Sequence, residues 1–151
     1  MSWKDFLAWL LSLLVKPTPQ PAPIPTPTPA PNSFIEKLLI LHNNHRKSVG
    51  VGPLTLNTKL TNAAQKHTDW MYKNNNLNHN QNGKNPGQRI TEEGYRWSTY
   101  GENIASGYST PEAVFSGWLK SAGHRRNIES AAYKDVGFGY AGKYWTVDFA
   151  K

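Results

Sequence analysis

The stretch "SAGHRRNIES", residues 121–130, sets His124 after a glycine and directly before Arg125 and Arg126. Two fixed cations disfavour the imidazolium and push the ring's pKa down. A short helix started here, with Ile128 as its apolar residue, would push it the same way from its N-terminus. A histidine kept neutral can ligate a metal or accept a proton. The other reading is a surface turn with solvated arginines. Ser121, three residues before His124, is a conceivable nucleophile, although local spacing alone is weak support. A second stretch, "YGENIASG", sets Glu102 between Gly101 and Asn103, just ahead of the apolar Ile104. A carboxylate in so tight and apolar a segment requires a partner, because desolvating an unpaired charge is costly. The alternative is a turn carboxylate satisfied by backbone amides. His79 lies in the polar loop "NNNLNHNQNGKNPG", where a solvated histidine is the ordinary expectation. His42 and His45 are three apart on one predicted helix and could share a face, but there is no H-E-x-x-H pair of the zincin type. His67 falls on the apolar face of the next helix, where it reads as a core or boundary residue. No G-x-S-x-G nucleophile elbow and no Gly-rich phosphate loop is present.

These residues need elements to hold them. "SFIE", Ser33–Glu36, reads as a capping box, and Ile35, Leu38, Leu39 and His42 share a face of the helix it would start. "VGVGPL" ends that helix. Asn57 caps a second one, with Leu60, Ala63, Ala64, His67 and Met71 at helical spacing. The Asn-rich loop follows. Thr110, Pro111 and Glu112 make a good helix start, and that helix carries Ala113, Val114 and Trp118. "DVGFGY" and "KYWTVDF" alternate apolar and polar residues around "AGK", which predicts a β-hairpin. Helices first and a hairpin last give an α+β layered domain.

The chain of 151 residues and 17.0 kDa is long enough for one domain with a real core. Its formal charge of +7 and pI of about 9.7 favour anionic partners: acidic lipid headgroups, envelope polymers or nucleic acid. Nucleic acid is not indicated, since there is no zinc finger, no ribonucleoprotein motif and no basic helix with interleaved aromatics. With no cysteine, disulfides and thiolate chemistry are excluded. Three zones divide the sequence. Residues 1–16 hold an uncharged apolar run, Phe6–Val15, much shorter than the roughly 20 residues of a membrane-spanning helix. Three readings stand for it: an anchor lying in a membrane interface with Trp3 and Trp9 at headgroup level, a helix packing on copies of itself or on a larger assembly, or an atypical export signal, since Asp5 cancels Lys4 and no cleavage motif follows. Residues 17–31 place proline at every odd position, a stiff polyproline II linker of roughly 45 Å. Residues 32–151 are the domain. A tether, a stiff spacer and a domain together imply display away from a surface.

"HNNHR", "LNHN", "YGENIASG", "WLKSAGHRRNI", "VGFGY" and "YWTVDF" occur in this order, and the set resembles the CAP superfamily of cysteine-rich secretory, antigen 5 and pathogenesis-related proteins, also called the SCP domain. The cysteine-free form is most similar to the bacterial branch. The resemblance covers nearly all of residues 32–151 and none of the first 31. It implies an α–β–α sandwich with a small antiparallel sheet between helical layers, and a cleft of two histidines and acidic residues able to hold a divalent metal. By that resemblance His79, Glu102 and His124 line the cleft and are the metal-ligand and catalytic candidates. Many members carry a second glutamate three residues after the helix tryptophan. Here Ser121 holds that place after Trp118, leaving two histidines and one carboxylate, a set compatible with zinc. Asn43, Arg46 and Asn103 look structural, and Asn127 looks like a turn or helix-end stabiliser. Arg125 and Arg126 either help keep His124 neutral or bind anions at the cleft rim.

Fold does not fix activity in such a family. The leading expectation is an extracellular or surface-displayed binding module that recognises an anionic lipid, glycan or envelope polymer. Alternatives are a structural or adhesive part of a virion or cell-surface assembly, and a metal-assisted hydrolase in which the ion lowers the pKa of bound water.

Overall fold

The computed structural model of the protein describes residues 31–151. The apolar segment expected over 1–16 and the linker expected over 17–31 lie outside these residues, except that Pro31 opens the first helix. Helix α1 spans Pro31–Ser48. Phe34, Leu38, His42 and Arg46 are its buried positions, spaced by four so that they stack on one face. Ile35 and Leu39 flank that stripe and are partly buried against the core. The helix begins ahead of the expected capping box. Proline suits a first helical position because its φ is preset and it needs no N–H partner, and Ser33 falls inside the first turn.

A short strand, β1 (Thr55–Leu56), leads into helix α2 (Thr58–Asn74). Asn57 caps α2 as expected, its side chain accepting from the backbone N–H groups of Lys59 and Leu60. Leu60, Ala63, Ala64, His67 and Met71 are all buried along it. Helix α3 (Pro86–Glu92) rises from the Asn-rich stretch that read as a loop. Asn85 and Gln88 form a reciprocal capping box, with Pro86 in the first turn. Strand β2 (Tyr100–Ser106) follows, then α4 (Pro111–Lys120), capped by Thr110, and α5 (Ala122–Glu129). Strands β3 (Asp135–Ala141) and β4 (Tyr144–Ala150) form the expected hairpin. Gly142 and Lys143, with φ of 49° and 69°, make its turn, the paired positive φ that matches strand twist.

The sheet order is β1-β3-β4-β2. The three long strands are antiparallel, while the two-residue β1 runs parallel to β3 at the edge. Strand alternation divides the sheet into two faces. Val136, Phe138, Trp145, Val147 and Phe149 pack with Phe34, Leu38, Val114, Trp118 and Ile128 into the main core, so α1, α4 and α5 form one layer. Leu60, Ala63 and Ile90 meet Ala150 on the other face, where α2 and α3 form the second layer. The glycines of "VGFG" explain how close α2 comes. A Cβ at Gly137 would stand 2.1 Å from the backbone carbon of Leu60, and one at Gly139 2.5 Å from the Ala64 carbonyl oxygen. This is the α–β–α sandwich.

Candidate functional site

Glu102 sits on β2, the edge strand opposite β1. Register pairs it with Asp148 on β4, and pairing side by side puts both carboxyls on the face covered by α2 and α3. Glu102 accepts a hydrogen bond from His79 Nδ1 at 2.8 Å and is ion-paired through its other oxygen to the Arg89 guanidinium. The side chains of Arg89 and Glu102 are almost wholly buried, 5% and 2% exposed. Arg89 also donates through Nη1 to the carbonyls of His79 (2.6 Å) and Lys84 (3.2 Å). One guanidinium thus holds both the site carboxylate and the backbone of the residue that faces it.

Burial works against ionising Glu102, but the His79 hydrogen bond and the Arg89 charge outweigh it, and its pKa is lowered. Asp148 goes the opposite way. It is fully buried, and burial first, then the Glu102 charge, push its pKa well above the usual carboxylate range. Two adjacent carboxyls with one cation do not both ionise. Asp148 therefore keeps the proton, held neutral by its burial and by the Glu102 charge beside it.

His79 Nδ1–H donates to the Glu102 carboxylate, which leaves Nε2 as the ring nitrogen not engaged there, on a side chain that is half-exposed. The loop that carries it is clamped by His67, which is fully buried. His67 Nε2–H donates to the Asn78 carbonyl at 2.9 Å, its Nδ1 meets the Gln81 side chain at 3.0 Å, and its ring stacks on Trp70. Burial lowers the His67 pKa. The expected core histidine is thus the peg on which the His79 loop hangs.

His124 arrives from the other layer, on the first turn of α5. β2 has no strand beyond it among the described residues, so groups from both helical layers can meet over that edge. Asn103 Nδ2 donates to the His124 carbonyl at 3.0 Å, and Asn127 Nδ2 donates to Asn103 Oδ1 at 2.9 Å. Asn127 therefore fastens α5 to β2 and does not act as a helix-end stabiliser. The pKa of His124 is lowered, first by burial and then by the charge of nearby His79. One of the two roles expected of Arg125 and Arg126 was to keep it neutral. They are exposed, where solvent screens their charge, and the neutralising work falls to burial and His79.

The structure therefore brings His79, Glu102 and His124 into one neighbourhood, but not as three equal donors. Both Glu102 oxygens are already engaged by His79 and Arg89. Among the described residues no three of His, Cys, Asp and Glu converge as a metal's ligands would. In this arrangement Glu102 acts as an orienting partner behind His79. The remaining histidines separate. His42 points into the core among Phe115, Trp118, Phe138 and Phe149, whereas His45 reaches Glu129 on α5 at 2.8 Å. Ser121 links α4 to α5 and makes no hydrogen bond to His124. Asn43 exchanges two hydrogen bonds with the Leu54 backbone. Buried Arg46 donates to the carbonyls of Gly52, Ile128, Ser130 and Tyr133. Both are structural, as expected. Arg89 and Asp148 were not singled out in the sequence. The capping box "NPGQ" could have signalled the helix that presents Arg89, while nothing local marks Asp148, whose meaning comes from its cross-strand partner.

Comparison with known proteins follows this geometry. The profile of the family described as "CAP: Cysteine-rich secretory protein family" matches residues 39–149. The uncharacterized protein YkwD of Bacillus subtilis is 34% identical over 121 residues, covering 78% of this chain and 47% of YkwD. The uncharacterized membrane protein YlbC of the same organism is 32% identical over 117 residues, covering 77% and 34%. The chain thus spans less than half the length of either relative. Among solved structures, an extracellular protein containing an SCP domain from Bacillus anthracis superposes with a TM-score of 0.78 at 27% identity, over 80% of this chain and 41% of that one. An outer surface protein of Borrelia burgdorferi does so with a TM-score of 0.69 at 23% identity, over 77% and 92%, a likeness of fold alone. From the matched profile and the architecture together, this chain belongs to the CAP, or cysteine-rich secretory protein, family.

Proposed function

We propose that the domain is an extracellular, surface-displayed binding module that recognises an anionic envelope component at the β2 edge. The observation that carries this reading is the presentation there of His79 and His124, one from each helical layer, with exposed Arg125 and Arg126 following on α5. Exposed arginines suit phosphate or carboxylate groups, and the net charge of +7 adds long-range attraction. The names of the extracellular Bacillus anthracis protein and the Borrelia outer surface protein support the location. Among the described residues no helix is long and apolar enough to cross a membrane.

A divalent ion such as zinc would be held by His79 Nε2 and the His124 ring, with Glu102 fixing the His79 ring. Carboxylate-backed histidine is a common supporting arrangement for a metal ligand. Two protein donors leave open positions for an anionic ligand. Hydrolysis is the weaker reading, because Glu102 is tied to Arg89 and Asp148 is buried, so neither is free to serve as general base.

The test is binding of the full chain to vesicles with and without anionic phospholipid, and to a soluble poly(glycerol phosphate). Binding to one of these anionic probes should fall at least about tenfold on raising salt from about 0.1 to about 1 M. It should fall comparably in the Arg125→Glu/Arg126→Glu double variant. Binding indifferent to both changes would overturn the reading, and the two probes separate lipid from polymer.

A further inference from the structure

We propose a second binding site on this domain, separate from the His79–His124 edge: a stacking platform built on Trp97 for β-linked pyranose rings of a neutral glycan. Trp97 is 40% exposed, yet its ring is fixed. Its indole N–H is shared between the Gly87 carbonyl at 3.1 Å and Thr91 Oγ1 at 3.0 Å. Tyr100 meets it edge-on at 4.6 Å and 74°. Gly87 supplies the bare backbone against which both rings rest, since a Cβ there would stand 2.5 Å from Tyr100 and 2.9 Å from Trp97. An exposed aromatic held from three sides loses little freedom when a ligand settles on it.

The surroundings suit a sugar. A hollow of about 400 Å³ is lined by Lys84, Asn85, Gln88, Glu92, Trp97 and Tyr100, among others, within the range of small-ligand sites. Asn85 and Gln88 each use a side-chain oxygen in the capping box, which leaves their amide N–H groups available as donors. Lys84 and Glu92 form a half-exposed ion pair beside them, adding a cation and an acceptor. A β-linked pyranose with equatorial hydroxyls has a flat C–H face for the indole and a rim of hydroxyls for these groups. A proline-rich peptide, of the sequence this chain carries at 17–31, fits less well. Such a peptide is recognised mainly through its carbonyl acceptors, and the indole N–H that would ordinarily bind one is already taken. The groups that fix Trp97 are also turned away from the other site, although Lys84, at the rim of the hollow, gives its carbonyl to Arg89. Gly87 and Thr91 lie roughly 200° around α3 from Arg89, which serves Glu102.

The experiment is a titration of the ¹⁵N-labelled full chain with cellotetraose, with the tetramer of N-acetylglucosamine, and with the peptide PTPQPAPIPT, following the Trp97 indole resonance. One of the two tetrasaccharides should shift that resonance with a Kd of about 1 mM, typical of one stacked ring with a polar rim. Trp97→Ala should weaken binding at least tenfold, Trp97→Phe and Glu92→Ala severalfold, and His79→Ala and His124→Ala not at all. The phenylalanine and Glu92 variants keep the test valid should the alanine variant fail to fold. The proposal is overturned if neither tetrasaccharide binds, if binding ignores Trp97 and Glu92, or if the proline peptide alone binds. Loss of sugar binding in His79→Ala would also overturn it, by placing the sugar at the other site.

Discussion

His42 shows how one buried residue sets acid sensitivity. It is completely buried, its Nδ1–H donates to the Leu38 carbonyl at 2.7 Å, and its Nε2 has no partner. Burial lowers its pKa from 6.5 to about 4. Below pH 6.5 the unfolded chain takes a proton that the folded chain refuses until about pH 4, so stability falls as pH drops through that window. The loss amounts to about 3 kcal/mol. Urea unfolding of wild type and His42→Leu across this range should show the variant losing less stability by that margin; parallel losses would show that His42 remains neutral in the unfolded chain or is charged in the folded one. The carboxyl pair makes a contrasting prediction. Glu102→Gln strands the buried Arg89 charge and should cost about 3–5 kcal/mol. Asp148→Asn replaces one neutral side chain by another of the same shape and should cost far less. The raised Asp148 pKa penalises folding once pH exceeds the unfolded value, so the asparagine variant should gain on wild type as pH rises from acid to neutral. Equal destabilisation by the two substitutions would contradict the assignment of the proton to Asp148.

At the scale of elements, the contact between α2 and β3 is the seam of the fold. Gly139→Ala forces a methyl against the Ala64 carbonyl and the Thr68 hydroxyl. Gly137→Ala meets the Leu60 backbone itself, which cannot rotate away. Thermal or urea unfolding should show Gly139→Ala losing about 1–3 kcal/mol and Gly137→Ala at least as much; a neutral Gly137→Ala would mean that α2 does not lie where described. Most elements were legible because their signals are local. Asn57, Thr110–Pro111 and the alternation around Gly142 each announce a start or a turn. Misreadings arose where one local signal masked another. The helix starts at Pro31, ahead of Ser33, and the Asn-rich composition before Pro86 hid a capping box. The His79, Glu102 and His124 set was reached by resemblance. What the sequence withheld is how Glu102 is used, because Arg89, Asp148 and His67 act through register and packing that no single stretch contains.

For the whole molecule, the sheet lies between two helical layers, and at the β2 edge, beyond which no strand lies among the described residues, chemistry can be presented where both layers reach it. His79 comes from the α2–α3 side and His124 from the α4–α5 side, tied down by His67 and Arg89 on one layer and by Asn103 and Asn127 on the other. A net charge of +7 and a proline-rich segment ahead of the domain fit a domain held out toward anionic material. That account stands on the two histidines forming a single site. Its most direct test is calorimetric titration of the folded full chain with zinc alone, near neutral pH and about two pH units lower, beside His79→Ala and His124→Ala. The account predicts one ion per chain at the higher pH, weaker binding at the lower, and loss in either variant. Zinc binding that survives either substitution, or no binding by the folded wild-type chain, would contradict it.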